Sequence, residues 1–136
     1  MIGVIMEFLN SLEELIGIND RPVEEFEVPE WGRKVYLRGM TGTDRDAFEA
    51  HVSNGGREGS MNLIGMRAKM VAACLVNAEG ERIASPRDEA VLGNTSAKAL
   101  DRLFTKCMEL NGMSQEDEEK LKESFGDGQS DGSTSA

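Results

Sequence analysis

The chain has one histidine, His51, two cysteines, Cys74 and Cys107, and no apolar run long and charge-free enough to cross a membrane. Each scarcity excludes something. A zinc set or a histidine-based triad needs partners at suitable spacing, and His51 has neither a second histidine nor a cysteine placed to serve. It reads as a helix-end or surface residue. Both cysteines fall at helical positions that read as buried, which favours free core thiols in a reducing cytoplasm over a disulfide. The first six residues are apolar, but Glu7 ends the run and no basic residue precedes it, which argues against a secretion signal. The loop 54–59 precedes a helix, yet it lacks the Gly-Lys-Ser/Thr ending that supplies charge and a magnesium ligand in a phosphate-binding loop. Asp44 and Asp46 stand in a predicted first helical turn, where acids are ordinary capping and dipole chemistry. With no convergent set of titratable side chains, the sequence predicts no enzyme, no cofactor and no metal site.

The formal charge of −10 is unevenly distributed. Residues 1–30 carry eight acids against Arg21, and residues 113–136 carry seven against Lys120 and Lys122. The middle, 31–112, has twelve basic and ten acidic residues, so a near-neutral body lies between two acidic ends. Acidic ends keep a protein soluble and repel nucleic acid, so no phosphate-backbone partner is expected.

What is present is organised around residues 61–76, where twelve of sixteen residues are apolar and only Asn62, Gly65, Arg67 and Lys69 interrupt. A helix here has almost no face suited to water and must be covered by other segments. Leu63, Ile64, Ala68, Met70, Val71, Cys74 and Leu75 fill one arc, with Asn62, Lys69 and Ala73 opposite. Ser60 is placed to cap its start. Upstream, Ser11 and Glu14 form a capping-box pair for a short helix that Gly17 stops, read as a small amphipathic lid. Residues 23–38 alternate, turn at Pro29-Glu30-Trp31-Gly32 and alternate again, a β-hairpin whose Val35 and Leu37 should pack on helices. A helix over 43–52, capped by Thr41 or Thr43, should bury Ala47, Phe48 and Val52.

Downstream, Asn77-Ala-Glu-Gly80 signals a turn and Arg82-Ile-Ala84 an extended return, a short second hairpin. Ser85-Pro-Arg-Asp88 starts a short helix that closes at Gly93. Asn94 or Thr95 should cap a helix over 96–111, with Ala97, Leu100, Leu103, Phe104, Cys107, Met108 and Leu110 on one half of its wheel. Residues 114–125 read as a charged helix and 126–136 as a disordered tail. The expected fold is mainly α with a small N-terminal β-hairpin, an α+β arrangement. It divides into an apolar segment and short helix (1–20), a hairpin plus helical core (21–112), and an acidic helix with a disordered tail (113–136).

The order of segments, from Phe26-Glu-Val-Pro-Glu-Trp-Gly-Arg-Lys-Val-Tyr-Leu-Arg through Met40-Thr-Gly-Thr-Asp-Arg-Asp-Ala-Phe-Glu49, Leu75-Val-Asn-Ala-Glu-Gly80, Ala99-Leu-Asp-Arg-Leu-Phe104 and Leu110-Asn-Gly-Met-Ser114, resembles the tail assembly chaperones of long-tailed, non-contractile bacteriophages. The resemblance covers roughly residues 10–125 and contains no catalytic fingerprint. It implies a small helical protein of the host bacterial cytoplasm, absent from the mature virion. Such a protein coats the tape measure protein and brings major tail tube subunits to it. Many members also exist in a longer, frameshifted form, whose extension recruits the tube protein and would begin in the acidic end.

Eight methionines with few aromatics suit adaptable apolar contacts. Met61, Met66 and Met70 belong to the expected core; Met40, Met108 and Met113 are less committed and, with Arg67 and Phe125, are the candidate partner-binding residues. Arg67 falls inside the apolar arc of its helix, where a guanidinium either reaches water or an acid within the chain or forms an ion pair between subunits. The near-neutral body could also meet the acidic end of a neighbour and so self-associate into an array. Two rival readings stand beside the chaperone: an acidic DNA mimic that inhibits a nucleic-acid enzyme, and a structural tail connector retained in the virion.

Overall fold

The computed structural model describes residues 6–53, 62–63 and 65–113. Among them, β1 (Glu24–Val28) and β2 (Arg33–Leu37) form the expected hairpin, with Phe26 opposite Val35 and Glu24 opposite Leu37. The turn between them is a 3₁₀ step over Pro29–Trp31, closed by Gly32 at φ +63°. Alternation puts Phe26, Val28, Val35 and Leu37 toward the helices, while Glu25, Glu27, Lys34 and Tyr36 face water.

Helix α2 (Gly42–Val52) is capped by Thr41, whose hydroxyl accepts from the Asp44 amide. It buries Phe48, but Ala47 is exposed, because the helix rests on the body along a narrow stripe. Helix α3 (Met66–Cys74) is the central element as expected and packs on α2, α4 (Glu89–Gly93) and α5 (Ala97–Leu110). Seven of its nine residues are buried, including Ala73, which the helical wheel placed toward solvent. Its extent differs from the predicted 61–76. The helix begins after Gly65, which adopts a left-handed conformation, and at Leu75 the chain becomes strand β3 (Leu75–Val76). β3 pairs antiparallel with β2, giving a three-stranded sheet in the order β1-β2-β3. The open edge of β2 supplies hydrogen bonds that a further helical turn would have taken from within. The expected cap at Ser60 and the contacts of Met61 and Ile64 lie outside the described residues.

The second hairpin forms as a tight return, with Val76 bridged to Arg82. Asn77 organises the turn, its side-chain oxygen accepting from the amides of Glu79 and Glu81. Gly80 stands at φ +85°, and a Cβ there would lie 2.6 Å from Arg38 Nη1. Gly80→Ala combines a left-handed non-glycine residue with that clash and is expected to cost about 2 kcal/mol, read from a urea unfolding curve. A cost near zero would mean that the turn relaxes freely.

The Ser85–Asp88 capping box is present and leads into α4 (Glu89–Gly93). Helix α5 (Ala97–Leu110) is capped by Ser96, one residue beyond the expected position. Its buried face is Ala99, Leu100, Leu103, Phe104, Cys107 and Met108. Ala97 is exposed, and Ala99 takes the buried place assigned to it. The core therefore lies between α3, α5 and the inner face of the sheet, with Phe104, Leu103, Met66, Met70 and Leu37 among its fully buried side chains. The charged helix and tail expected over 114–136 lie outside the described residues.

Candidate functional site

The buried thiols belong to the core rather than to a reactive centre. Cys74 and Cys107 are both free, and the hydrogen bond between them, followed by burial, holds the Cys107 thiol well above the usual cysteine value, while the same hydrogen bond draws the Cys74 thiol below it. Cys107 kept protonated is a poor nucleophile, and Cys74, like Cys107, has 0% exposure and is out of reach of a substrate. Among the described residues, no group of three or more histidine, cysteine, aspartate or glutamate side chains is placed to hold a metal ion. No described helix is long and apolar enough to cross a membrane.

The candidate partner-binding residues are scattered by the fold. Met40 and Met108 are buried at 8% and 1% exposure, so both side chains are spent on the core. Met113 packs against the core and is partly buried. Arg67 remains at the surface, its Nε 3.4 Å from Asp101 Oδ1 and its guanidinium 5.9 Å from the Phe104 ring centroid. This is pairing with an acid of the same chain, reinforced by a cation–π contact. Phe125 lies outside the described residues.

Two surface features stand out among the described residues. The first is a trough between β1 and the outward face of α5, of about 410 Å³, lined by Phe26, Lys98, Asp101, Arg102, Thr105, Lys106 and Glu109. From Lys98 to Glu109 it follows α5 for roughly 17 Å, three helical turns. A second hollow of about 570 Å³ shares Lys98 and Asp101 with it and is bounded by Arg67 and Leu100. Phe26 and the aliphatic stems of Lys98, Arg102 and Lys106 make the trough amphipathic rather than simply charged.

Two ion pairs tie the trough's walls together. Arg102 makes a two-pronged contact with Glu30, Nε to Oε1 at 3.1 Å and Nη2 to Oε2 at 2.9 Å. Lys106 reaches Glu24 at 3.4 Å and Glu109 at 3.8 Å. The Arg102 hydrogen bond holds the Glu30 carboxyl below its ordinary value. A carboxylate with a lowered folded-state pKa adds stability that is present at neutral pH and lost as pH falls through that lowered value. The Glu30 carboxyl resonance is therefore expected to titrate below 4.5 and to move back toward it in Arg102→Met. An unchanged titration in that variant would show that the pair does not persist in solution.

The second feature is the segment before the hairpin. Helix α1 (Leu12–Ile16) has the expected Ser11 cap and buries nothing, so it is not a lid over its own body. Seven of the ten exposed large apolar side chains among the described residues lie here: Met6, Phe8, Leu9, Leu12, Leu15, Ile16 and Ile18. The segment projects from a well-fixed root. Arg38 donates to the Arg21 carbonyl at 2.9 Å, the Gly80 carbonyl at 2.9 Å and Asn19 Oδ1 at 3.2 Å, and Arg21 donates to the Gly39 carbonyl at 3.0 Å. Sequence reasoning missed this division between rooted body and bare arm. Its signal was the density of apolar residues in 6–18, with only Glu7, Glu13 and Glu14 as charges.

A family model described as phage tail assembly chaperone matches residues 22–122. The solved structure of the bacteriophage HK97 tail assembly chaperone is similar with a TM-score of 0.55 and 18% identity, covering 76% of this chain and 96% of that one. At that identity the likeness is one of fold. No curated protein matches the chain.

Proposed function

Because this chain belongs to the phage tail assembly chaperone family, whose role is not an enzymatic one, we propose that it binds the tape measure protein during tail assembly, keeps it soluble and helps recruit tail tube subunits. It acts in the host bacterial cytoplasm and is absent from the finished virion. A longer frameshifted form would carry the tube-recruiting part.

The observation that carries the binding mechanism is the trough along α5. Its three-turn length, its Phe26 and aliphatic walls and its charged margins suit an amphipathic helix laid lengthwise. Each such contact is weak. A tape measure protein offers many along one chain, and effective concentration then raises the overall affinity. Arg67 stands at the neighbouring hollow, where it can extend the contact.

Co-expression with a tape measure protein tests the reading. The tape measure protein should be largely soluble with this chain and largely insoluble with Lys98→Glu/Thr105→Glu, which adds two carboxylates to the trough while leaving the core intact. Equal solubility with both would remove the trough from the mechanism.

A further inference from the structure

Asn111 and Gly112 form an Asn-Gly pair where α5 ends. In a free peptide this pair is chemically labile, because glycine has no side chain to shield its nitrogen. The Gly112 nitrogen, losing its proton to water, attacks the side-chain carbonyl carbon of Asn111. A new N–C bond forms, the C–Nδ2 bond breaks and ammonia leaves. Water then opens the resulting succinimide at either of its carbonyls, giving aspartate or isoaspartate. Water is the only co-reactant.

The fold holds the reacting groups out of place. Asn111 Oδ1 accepts the Met40 amide at 2.7 Å and Nδ2 donates to the Cys107 carbonyl at 2.7 Å, so the side-chain amide is gripped at both ends. The Asn111 backbone is near-helical at ψ 12°, and the Gly112 amide donates to the Glu109 carbonyl at 3.1 Å. Attack requires that backbone to rotate, that amide to leave its acceptor and that side chain to swing free. All three come together only when the end of α5 parts from Met40. Solvent is close at hand once it does, since Gly112 is exposed and Asn111 lines a hollow of about 470 Å³ with Gly39, Met40 and Arg45.

We infer that Asn111 is a deamidation site gated by opening of the α5 end, and that the reaction prevents this latch from closing again. The product carboxylate has no N–H for the Cys107 carbonyl and sets a negative oxygen against it. Arg45 donates to the Asn111 carbonyl at 3.0 Å, so its guanidinium draws the new charge toward α2 and away from Cys107. Isoaspartate also lengthens the backbone by a carbon and displaces Gly112. The chain thus carries a site whose one-way change records how often the end of α5 has opened.

The test incubates the full chain at mildly alkaline pH, in native buffer and in unfolding urea, and follows residue 111 by mass spectrometry of its proteolytic peptide. Asn54-Gly55, the other such pair in the sequence, gives the reference rate in urea. Unfolded, Asn111 and Asn54 should react alike; in native buffer Asn111 should react slower than in urea by about tenfold or more, the factor set by the cost of local opening. Urea below the unfolding transition should speed the reaction in step with exchange of the Met40 amide. Asn111→Asp supplies the product directly and should unfold at a lower urea concentration, with weaker protection at Met40. An Asn111 that reacts in native buffer as fast as in urea overturns the gate, and one that does not react in urea overturns the site. A wild-type midpoint and wild-type Met40 protection in Asn111→Asp overturn the loss of the latch. If that variant does not fold, the wild-type rates still decide the gate.

Discussion

Phe104→Ala is expected to lower unfolding free energy by about 4 kcal/mol, the loss typical of a fully buried phenylalanine truncated in a tight core. Phe104 has 0% exposure and sits on the face of α5 that packs against α3. Its removal opens a cavity between the two central helices and takes away the ring beneath the Arg67 guanidinium. Small domains hold a total of only about 5–15 kcal/mol, so the variant should unfold at a much lower urea concentration. A loss below about 1.5 kcal/mol would mean that the core repacks around the gap and is less rigid than its burial indicates.

The second large effect concerns a polar residue. Asn111, just past the end of α5, accepts the Met40 amide at 2.7 Å through Oδ1. Its Nδ2 donates to the Cys107 carbonyl at 2.7 Å and contacts Cys74 Sγ at 3.5 Å. One side chain thus joins the end of α5, the end of α3 and the strand-to-helix connection before α2. Asn111→Leu leaves the Met40 amide without its acceptor in a part-buried setting, and the expected cost is about 2–3 kcal/mol. Hydrogen exchange gives a local readout: the Met40 amide should exchange much faster than in wild type, and by a larger factor than amides within β1. Unchanged protection at Met40 would show that another acceptor replaces Asn111.

Asn111 also shows where sequence reading stops. Beside Gly112 it looks like an ordinary helix-end asparagine, and nothing in its neighbourhood indicates that it faces Met40, 71 positions earlier in the chain. Arg38 is similar: it follows a strand pattern as an unremarkable charge, yet it holds the root of the arm and the Gly80 turn together. Local signals fared better. The hairpin, the Thr41 cap, the Ser85–Asp88 box and the apolar face of α5 follow from residue spacing and turn chemistry within a few positions. The end of α3 does not. A continuous apolar run carries no period that separates helix from buried strand, and only the waiting edge of β2 turns Leu75 and Val76 into β3.

The surface followed the same division. Among the described residues most of the exposed large apolar side chains lie on the arm, and the body offers an amphipathic trough. Met40 and Met108, flexible side chains that suit adaptable contacts, are buried. Methionine reads the same in sequence whether it fills a core gap or waits at a surface, and three-dimensional packing alone separates the two. Arg67 was conspicuous because a charge stood within an apolar arc; its partners, Asp101 and Phe104, lie more than thirty positions away.

Whether the α5 trough receives a client helix is read by titrating isotope-labelled chain with an amphipathic helical peptide from a tape measure protein. Amide shifts concentrated at Phe26, Lys98, Arg102 and Thr105 are expected, with smaller ones near Arg67. Shifts confined to the outer sheet face around Tyr36 and Lys34, or no shifts at all, would contradict a helix in the trough.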